Sequence, residues 1–254
     1  MTKKFRKSKK TFISILLSFV FVACLIVANY LSSLIIPAEA NSESITSSSF
    51  QLHFLALAKS QIENEAIAHA PDYRSIGAGG FVWKDNEYHY IVSSAYGNKN
   101  DADLVQINLK QTQNIESEIV SVTFESITIT GNFSTEEKKI VSRALAASQT
   151  YYNSIYDIAI SLDTGVYNEI SAKLAVNSAH NTLATTYADF STIYEGTIVE
   201  PLKNISLLLQ TASKVSQKLC TGEKISENQT YSSLLKYRYM QVLKIYKDFL
   251  SKFN

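Results

Sequence analysis

The chain has 254 residues, of which 46% are hydrophobic and 19% charged, and 24 Lys and Arg nearly balance 23 Asp and Glu. Six of the basic residues lie within the first ten positions, which leaves 18 basic and 23 acidic residues for the remainder. This balance excludes the basic surface that nucleic-acid binding needs, so we expect no nucleic-acid partner. The two cysteines, Cys24 and Cys220, are too few for a cysteine-based metal site, and they leave no disulfide within one folded domain.

The N-terminus has the pattern of a membrane anchor. Residues 1–10 form a basic tail, and residues 11–36 follow with 26 positions free of charge. About 20 apolar residues span a bilayer as a helix, and a basic tail favours the cytoplasmic side. We therefore expect a single-pass protein that is held in the lipid bilayer of the cell membrane by residues 11–36, with its later domains extracytoplasmic. The alternative is cleavage after Ala40, because Ala38 and Ala40 match a signal-peptidase site.

A polar linker at residues 41–49 precedes a module of strands and helices at residues 50–130. Residues 50–54 alternate apolar and polar side chains, as a half-buried strand does. Helices are predicted at 59–70 and 98–111, hairpin strands at 81–84 and 87–95, and a last strand at 115–130. The order β-α-β-β-α-β predicts a ferredoxin-like sheet in which the first and third strands of the module are neighbours.

The module resembles the SPOR (sporulation-related repeat) family. The stretch YHYIVSSAY at 88–96, followed by Asn-Asp-Ala at 100–102, is similar to a strand of the family that leads into an acidic-alanine helix start. Phe-Gln at 50–51 and Glu-Ala at 65–66 also resemble the family's opening, whereas Ala-Leu-Ala at 56–58 replaces its usual Gly-aromatic pair. The resemblance implies binding of peptidoglycan, especially of glycan strands stripped of their peptides, by an exposed sheet face.

Sugar-binding sites combine aromatic rings, which cover the C–H faces of a sugar, with neutral polar groups that bond its hydroxyls. The module carries both kinds of side chain on its predicted strands. The candidate glycan-binding residues are Gln51, His53, Trp83, His89, Ser93 and Tyr96. For any single aromatic residue, a place in the hydrophobic core is the competing interpretation.

No pattern indicates an enzyme, a cofactor or a metal. The Gly-Ala-Gly-Gly sequence at 77–80 lacks the Lys-Ser/Thr of a phosphate loop and predicts a turn. His53 and His89 have no third ligand at a suitable spacing, and we interpret Glu116 and Glu118 as solvated charges rather than a glycosidase pair. We therefore predict no catalytic residues, no bound metal and no cofactor.

Four long helices are predicted between residues 134 and 253. The glycines that separate them are Gly131, Gly165, Gly196 and Gly222. Ser134, Thr197 and Ser226 each begin a capping-box pattern. Apolar and small residues recur at spacings of four and three, as in an antiparallel four-helix bundle. We interpret this bundle as a spacer or as a docking surface for an unidentified protein partner.

These patterns predict an α+β protein with an N-terminal transmembrane helix, a ferredoxin-like βαββαβ (SPOR-like) module at 50–130 and an antiparallel four-helix bundle at 134–253. The function that the resemblance implies is extracytoplasmic peptidoglycan binding in cell division or spore-forming septation of a Gram-positive cell. The alternative is a non-enzymatic exported protein–protein scaffold whose SPOR-like module binds no glycan.

Overall fold

The structure is a computed structural model that describes residues 43–253, and the residues from Ser44 onward form one compact unit. Within the described residues the strands are β1 (Glu43–Thr46), β2 (Phe50–Ser60), β3 (Phe81–Asp85), β4 (Tyr88–Tyr96), β5 (Glu118–Phe124) and β6 (Thr128–Gly131). The helices are α1 (Glu63–Ser75), α2 (Lys99–Gln113), α3 (Thr135–Asp163), α4 (Glu169–Tyr194), α5 (Glu200–Cys220) and α6 (Tyr231–Leu250).

Four strands form an antiparallel sheet in the order β3-β4-β2-β5, and β1 pairs with β6 in a separate two-stranded sheet. In the centre of the larger sheet, His53 of β2 lies opposite Tyr96 of β4, and Phe54 lies opposite Ala95. The expected adjacency of these two strands is confirmed. The register shifts around Ala56, and an irregularity of this kind locally bends and twists a strand.

Alternation along β2 gives the sheet two apolar faces. Leu52 and Phe54 belong to the core that also contains the inner residues of α3 to α6. Leu55 packs instead with Ala102 of α2, and the neighbouring part of the sheet packs against Ala66 of α1. Because successive side chains of a strand point to opposite faces, the sheet is covered by α1 and α2 on one side and by the C-terminal helices on the other.

The four C-terminal helices pack side by side, each against the next in the chain, and α3 closes the group against α6. The short connections between them are those of antiparallel neighbours. Gly165 and Gly222 follow α3 and α5 with φ of +75° and +68°, a backbone conformation in which glycine pays no steric penalty. The predicted interior residues of α3 include Val141, Leu145 and Ile155, and all three are buried.

One of the three predicted capping boxes is confirmed. The Ser134 hydroxyl accepts the Glu137 N–H at 3.2 Å, and the Glu137 carboxylate accepts the Ser134 N–H at 2.8 Å. The other two predicted helix starts are wrong, because α5 begins after Val199 without a side-chain cap and α6 is capped by Thr230. The predicted Ser226 cap fails because the Gln229 side chain bonds the Ile225 N–H within the loop.

Tyrosine hydroxyls join the bundle to the sheet. Tyr239 of α6 is fully buried, its Oη lies 2.6 Å from the Ser94 Oγ, and it accepts the Ala95 N–H at 3.1 Å. Tyr152 of α3 donates its hydroxyl to the Ala95 carbonyl at 3.0 Å. Two helices of the bundle therefore bond to the same segment of β4, and sheet and bundle share one core.

The predicted fold class is wrong. We expected a transmembrane helix, a βαββαβ module with an open sheet face and a separate bundle, whereas the described residues form a single α+β unit with six helices. None of the helices between residues 43 and 253 is long and apolar enough to cross a bilayer. The bundle prediction holds in part, since four helices follow the sheet. The physical reason for the error is that the sheet is apolar on both faces, and the C-terminal helices bury the second face.

The predictions for the N-terminus lie outside the described residues. They are the basic tail at 1–10, the membrane anchor at 11–36 and the cleavage alternative at Ala40. All three remain predictions from the sequence.

Candidate functional site

Three of the six predicted glycan-binding residues do not share an exposed surface with the others. Trp83 is 3% exposed, and its ring meets that of Phe54 edge-on with 4.8 Å between centroids. His89 is 8% exposed and lies seven residues before Tyr96 on β4, a distance of about 23 Å along the strand. Ser93 is half-buried, and its carbonyl accepts an N–H from the turn before β3. These side chains cannot join Gln51 in one site.

The other three residues lie close together at one end of the sheet. Gln51 is exposed, and its side chain donates to the Thr123 hydroxyl at 3.3 Å. The His53 Nδ1 lies 3.0 Å from the Ser121 Oγ. Tyr96 is 6% exposed. Of these, Gln51 lines an open cleft.

This opening, the sheet–bundle cleft, has a volume of about 430 Å³ and lies where the start of β2, the turn after β4 and the middle of α3 meet. Its volume falls in the range of small-molecule pockets, and such pockets often form between two packed parts of a protein. The apolar lining residues are Phe50, Leu52, Tyr152 and Tyr156. The polar lining residues are Gln51, Gln149, Asn153 and Asp157, with Gly97 in the turn.

The sequence of α3 explains the α3 side of the cleft. Residues four apart lie on the same face of a helix, so Gln149, Asn153 and Asp157 form one polar row. Tyr152 and Tyr156 have the same spacing and form an aromatic row beside it. Both rows line the cleft, so aromatic and polar side chains face the same space.

A group of tyrosine rings holds the aromatic row in place. The Tyr152 and Tyr156 centroids are 5.8 Å apart, and Tyr156 also contacts the rings of Tyr96 at 6.1 Å and Tyr239 at 6.5 Å. Edge-on and tilted pairs at these distances are favourable arrangements of aromatic rings. The packing fixes the position of Tyr156 before any ligand binds.

Burial keeps the tyrosines of this group neutral. It raises the pKa of Tyr96 to about 12, and it raises the pKa of Tyr152 well above its ordinary value. For Tyr156, burial raises the pKa most, and the carboxylates of Asp101 and Asp157 raise it further. The Tyr156 hydroxyl therefore remains a hydrogen-bond donor at neutral pH.

The polar row offers groups that the protein itself does not use. The side chains of Gln149, Asn153 and Asp157 make no hydrogen bond or ion pair within residues 43–253. An amide side chain both donates and accepts, and a carboxylate accepts at two oxygens. The row can therefore bond several hydroxyl or amide groups of a ligand at once.

The cleft combines an aromatic wall with a polar row. No group of three His, Cys, Asp or Glu side chains in the described part of the chain is placed to hold a metal ion. Nucleophilic catalysis requires a nucleophile such as Ser, Cys or Lys beside a base. The lining residues contain one carboxylate and no such pair. The Tyr156 ring and the polar row can contact a polar ligand that also has an apolar face.

The sequence interpretation missed the contribution of α3. The spacing of apolar and small residues predicts Tyr152 in the bundle interior, and it is buried there, whereas no pattern singles out Gln149, Asn153, Tyr156 and Asp157. The signal that could have identified them is a polar row with a spacing of four beside an aromatic pair with the same spacing. The place where this row meets β2 depends on the packing of bundle on sheet, which no local pattern contains.

No protein-family model matches the chain, and neither does any curated protein or solved structure. The resemblance to the SPOR family therefore depends on the short motifs around residues 50–51, 65–66 and 88–102 alone.

Proposed function

We propose that this protein binds glycan strands of peptidoglycan in the sheet–bundle cleft. The observation that carries the proposal is the pairing of the partly exposed Tyr156 ring with the unused amides of Gln149 and Asn153 in one opening. Aromatic rings pack on the C–H faces of sugars, and amide groups bond the hydroxyl and acetamido groups around them. Gln51, a residue predicted to bind glycan, adds a third amide to the lining.

The proposal moves the binding site away from the face that the SPOR resemblance implies. Gln51 and His53 alternate with Leu52 and Phe54, so they lie on the face of β2 that packs against α2. Helices α3 and α6 cover the opposite face, where Phe54, Trp83 and Phe124 are buried in the shared core. A glycan strand cannot reach them without separating the bundle from the sheet. The cleft at the edge of this contact is open and needs no such separation.

The cellular setting is part of the same proposal. The uncharged residues 11–36 behind a basic tail support a membrane anchor, with the cleft on the extracytoplasmic side. The SPOR resemblance implies binding of glycan strands stripped of their peptides, in cell division or spore-forming septation. We therefore place the protein in cell division or in sporulation septation of a Gram-positive cell, without catalytic activity.

Co-sedimentation with purified sacculi tests the proposal. The full chain in detergent is mixed with sacculi that have or have not been treated with an amidase, and the pelleted fraction is measured. We expect the protein to pellet, with more bound to the treated wall. Pelleting no greater than that of an unrelated control protein would show that the chain does not bind glycan.

A pair of double variants locates the site. Gln149→Ala with Asn153→Ala should weaken binding about tenfold or more, since each hydrogen bond to a ligand contributes about 0.5–1.5 kcal/mol. The matched control is Asn177→Ala with Asn181→Ala, because these residues are also amides four apart and exposed on a helix of the bundle, α4. An equal loss in both variants would contradict binding in the cleft.

A second candidate function is the protein–protein scaffold. Ile170 and Leu174 lie four apart in the first turns of α4 and are 72% and 67% exposed, and Val166 in the preceding loop is 74% exposed. A row of apolar side chains on the surface is typical of an interaction site. If the chain acts only as a scaffold, the double variant Ile170→Ser with Leu174→Ser should change the proteins that cross-link to it. In that case no variant of the cleft should change the fraction recovered with sacculi.

A further inference from the structure

The sheet–bundle cleft is negatively charged. Asp157 is the one charged side chain among the residues that line it, and no Lys, Arg or His joins it there. The Asp157 carboxylate is exposed and has no ion-pair partner within residues 43–253. A ligand in the cleft therefore meets one uncompensated negative charge.

Near Asp157 the surroundings add a second carboxylate, while the cation on the β5 side of Gln51, Lys247, donates to the Thr123 carbonyl. Asp101, in the first turn of α2, is near enough to raise the pKa of Tyr156 together with Asp157, although burial is the larger cause. The cation closest in sequence to the Gly97 turn, Lys99, is bound by Asp103 at 2.7 Å. The Asn98 side chain caps the start of α2 by accepting the Asn100 N–H, so this helix end offers no free donor at that position.

We infer that the sugar held beside Asp157 is a glucosamine unit with a free amine, formed by removal of the N-acetyl group. The inference depends on the proposed glycan binding and specifies the chemical class of the bound unit. Within a peptidoglycan strand, the lactyl-bearing sugar carries a carboxylate once its peptide is removed, and Asp157 repels that group. An amine at the sugar's second carbon carries a positive charge when protonated, and Asp157 attracts it.

The expected preference is modest because Asp157 is exposed. Ion pairs at exposed sites contribute little, and their usual range corresponds to about two- to fivefold in affinity. Repulsion of a carboxylate has a similar size and the opposite sign. The preference should shrink as salt screens the charges.

Binding of three oligosaccharides of equal length tests the inference. They are an oligomer of N-acetylglucosamine, the same oligomer with free amines, and an alternating oligomer that carries lactyl carboxylates. Their dissociation constants for the full chain in detergent are measured by calorimetry at about pH 6, below the pKa range of ordinary α-amino groups. We expect the amine oligomer to bind about two- to fivefold more tightly than the neutral one, and the carboxylate oligomer to bind most weakly.

Variants assign the preference to one side chain. Asp157→Asn should remove the differences among the three oligomers, so that it binds all three with nearly equal affinity. The matched control is Glu227→Gln, which removes one negative charge from an exposed loop residue outside the cleft lining and should keep the preference.

The outcomes separate this inference from the proposed function. Three results would overturn the inference and leave glycan binding intact. They are equal binding of the amine and neutral oligomers, tighter binding of the carboxylate oligomer than of the neutral one, and a preference that persists in Asp157→Asn. No binding of any oligomer would overturn both.

Discussion

The hydroxyl of Tyr239 bonds two polar groups of β4 inside the core. It lies 2.6 Å from the Ser94 Oγ and accepts the Ala95 N–H at 3.1 Å, and the whole side chain is fully buried. A buried donor without a partner costs the free energy of its lost hydration. Tyrosine at this position therefore does more than fill space between α6 and the sheet.

Replacing Tyr239 by Phe should lower the free energy of unfolding by about 1–3 kcal/mol, because the ring remains but the Ala95 N–H loses its partner. Thermal unfolding followed by circular dichroism measures the change. Tyr237→Phe is the control: the Tyr237 ring contacts Phe81 at 5.3 Å, and its hydroxyl makes no hydrogen bond within the described residues. We expect its effect to stay within about 0.5 kcal/mol. Equal effects of the two variants would contradict the role given to the Tyr239 hydroxyl.

At the scale of one element, α3 combines three tasks along 29 residues. A capping box fixes its first turn, its apolar row fills the shared core, and its later turns provide the aromatic and polar rows of the sheet–bundle cleft. The packing of α3 on the sheet places Asn153 and Asp157 beside the start of β2.

Ser134→Ala should destabilise the protein by about 1 kcal/mol, the usual cost of removing a helix N-cap side chain. Ser226→Ala provides the matched control, since Ser226 begins the same sequence pattern but caps no helix and its hydroxyl makes no hydrogen bond within residues 43–253. Urea unfolding of both variants measures the difference. A Ser226 variant as unstable as the Ser134 variant would show that the capping box is not the cause.

At the scale of the whole molecule, buried tyrosines lie between sheet and bundle. They make the stability of the fold sensitive to alkaline pH. Burial raises the pKa of Tyr96 to about 12, and it raises those of Tyr152 and Tyr239 further. In the unfolded chain a tyrosine ionises near pH 10. The contribution of each buried tyrosine to stability is therefore fully present below about pH 10 and is lost as the pH rises toward its folded pKa.

The variant Tyr96→Phe tests this dependence. The difference in unfolding free energy between the parent and the variant should be constant below about pH 9, because tyrosine is then neutral in both states. It should fall by about 1.4 kcal/mol per pH unit between about pH 10 and 12, since only the parent has Tyr96 to ionise on unfolding. Urea unfolding at a series of pH values measures it. A difference that does not change with pH would contradict the burial of this hydroxyl.

The sequence by itself determined features that depend on neighbouring residues. The alternation at 50–54 identified β2, the Ser134 capping box identified the start of α3, and the glycines after α3 and α5 marked their ends. Each of these signals acts within one turn or one strand, where the chain's own geometry decides the outcome. The adjacency of β2 and β4 also followed, from the order of the elements.

The tertiary structure alone decided which sheet face is closed and where the cleft lies. The alternation of apolar and polar residues around Trp83 is the same whether that face of the sheet meets water or α6. The burial of Trp83 therefore depends on helices that follow much later in the chain. For the same reason the strand pattern could nominate Gln51 as a candidate, whereas no local pattern could place Asn153 in the cleft. The row on α3 reaches β2 only after the bundle packs on the sheet, and that packing results from burying the second apolar face of the sheet.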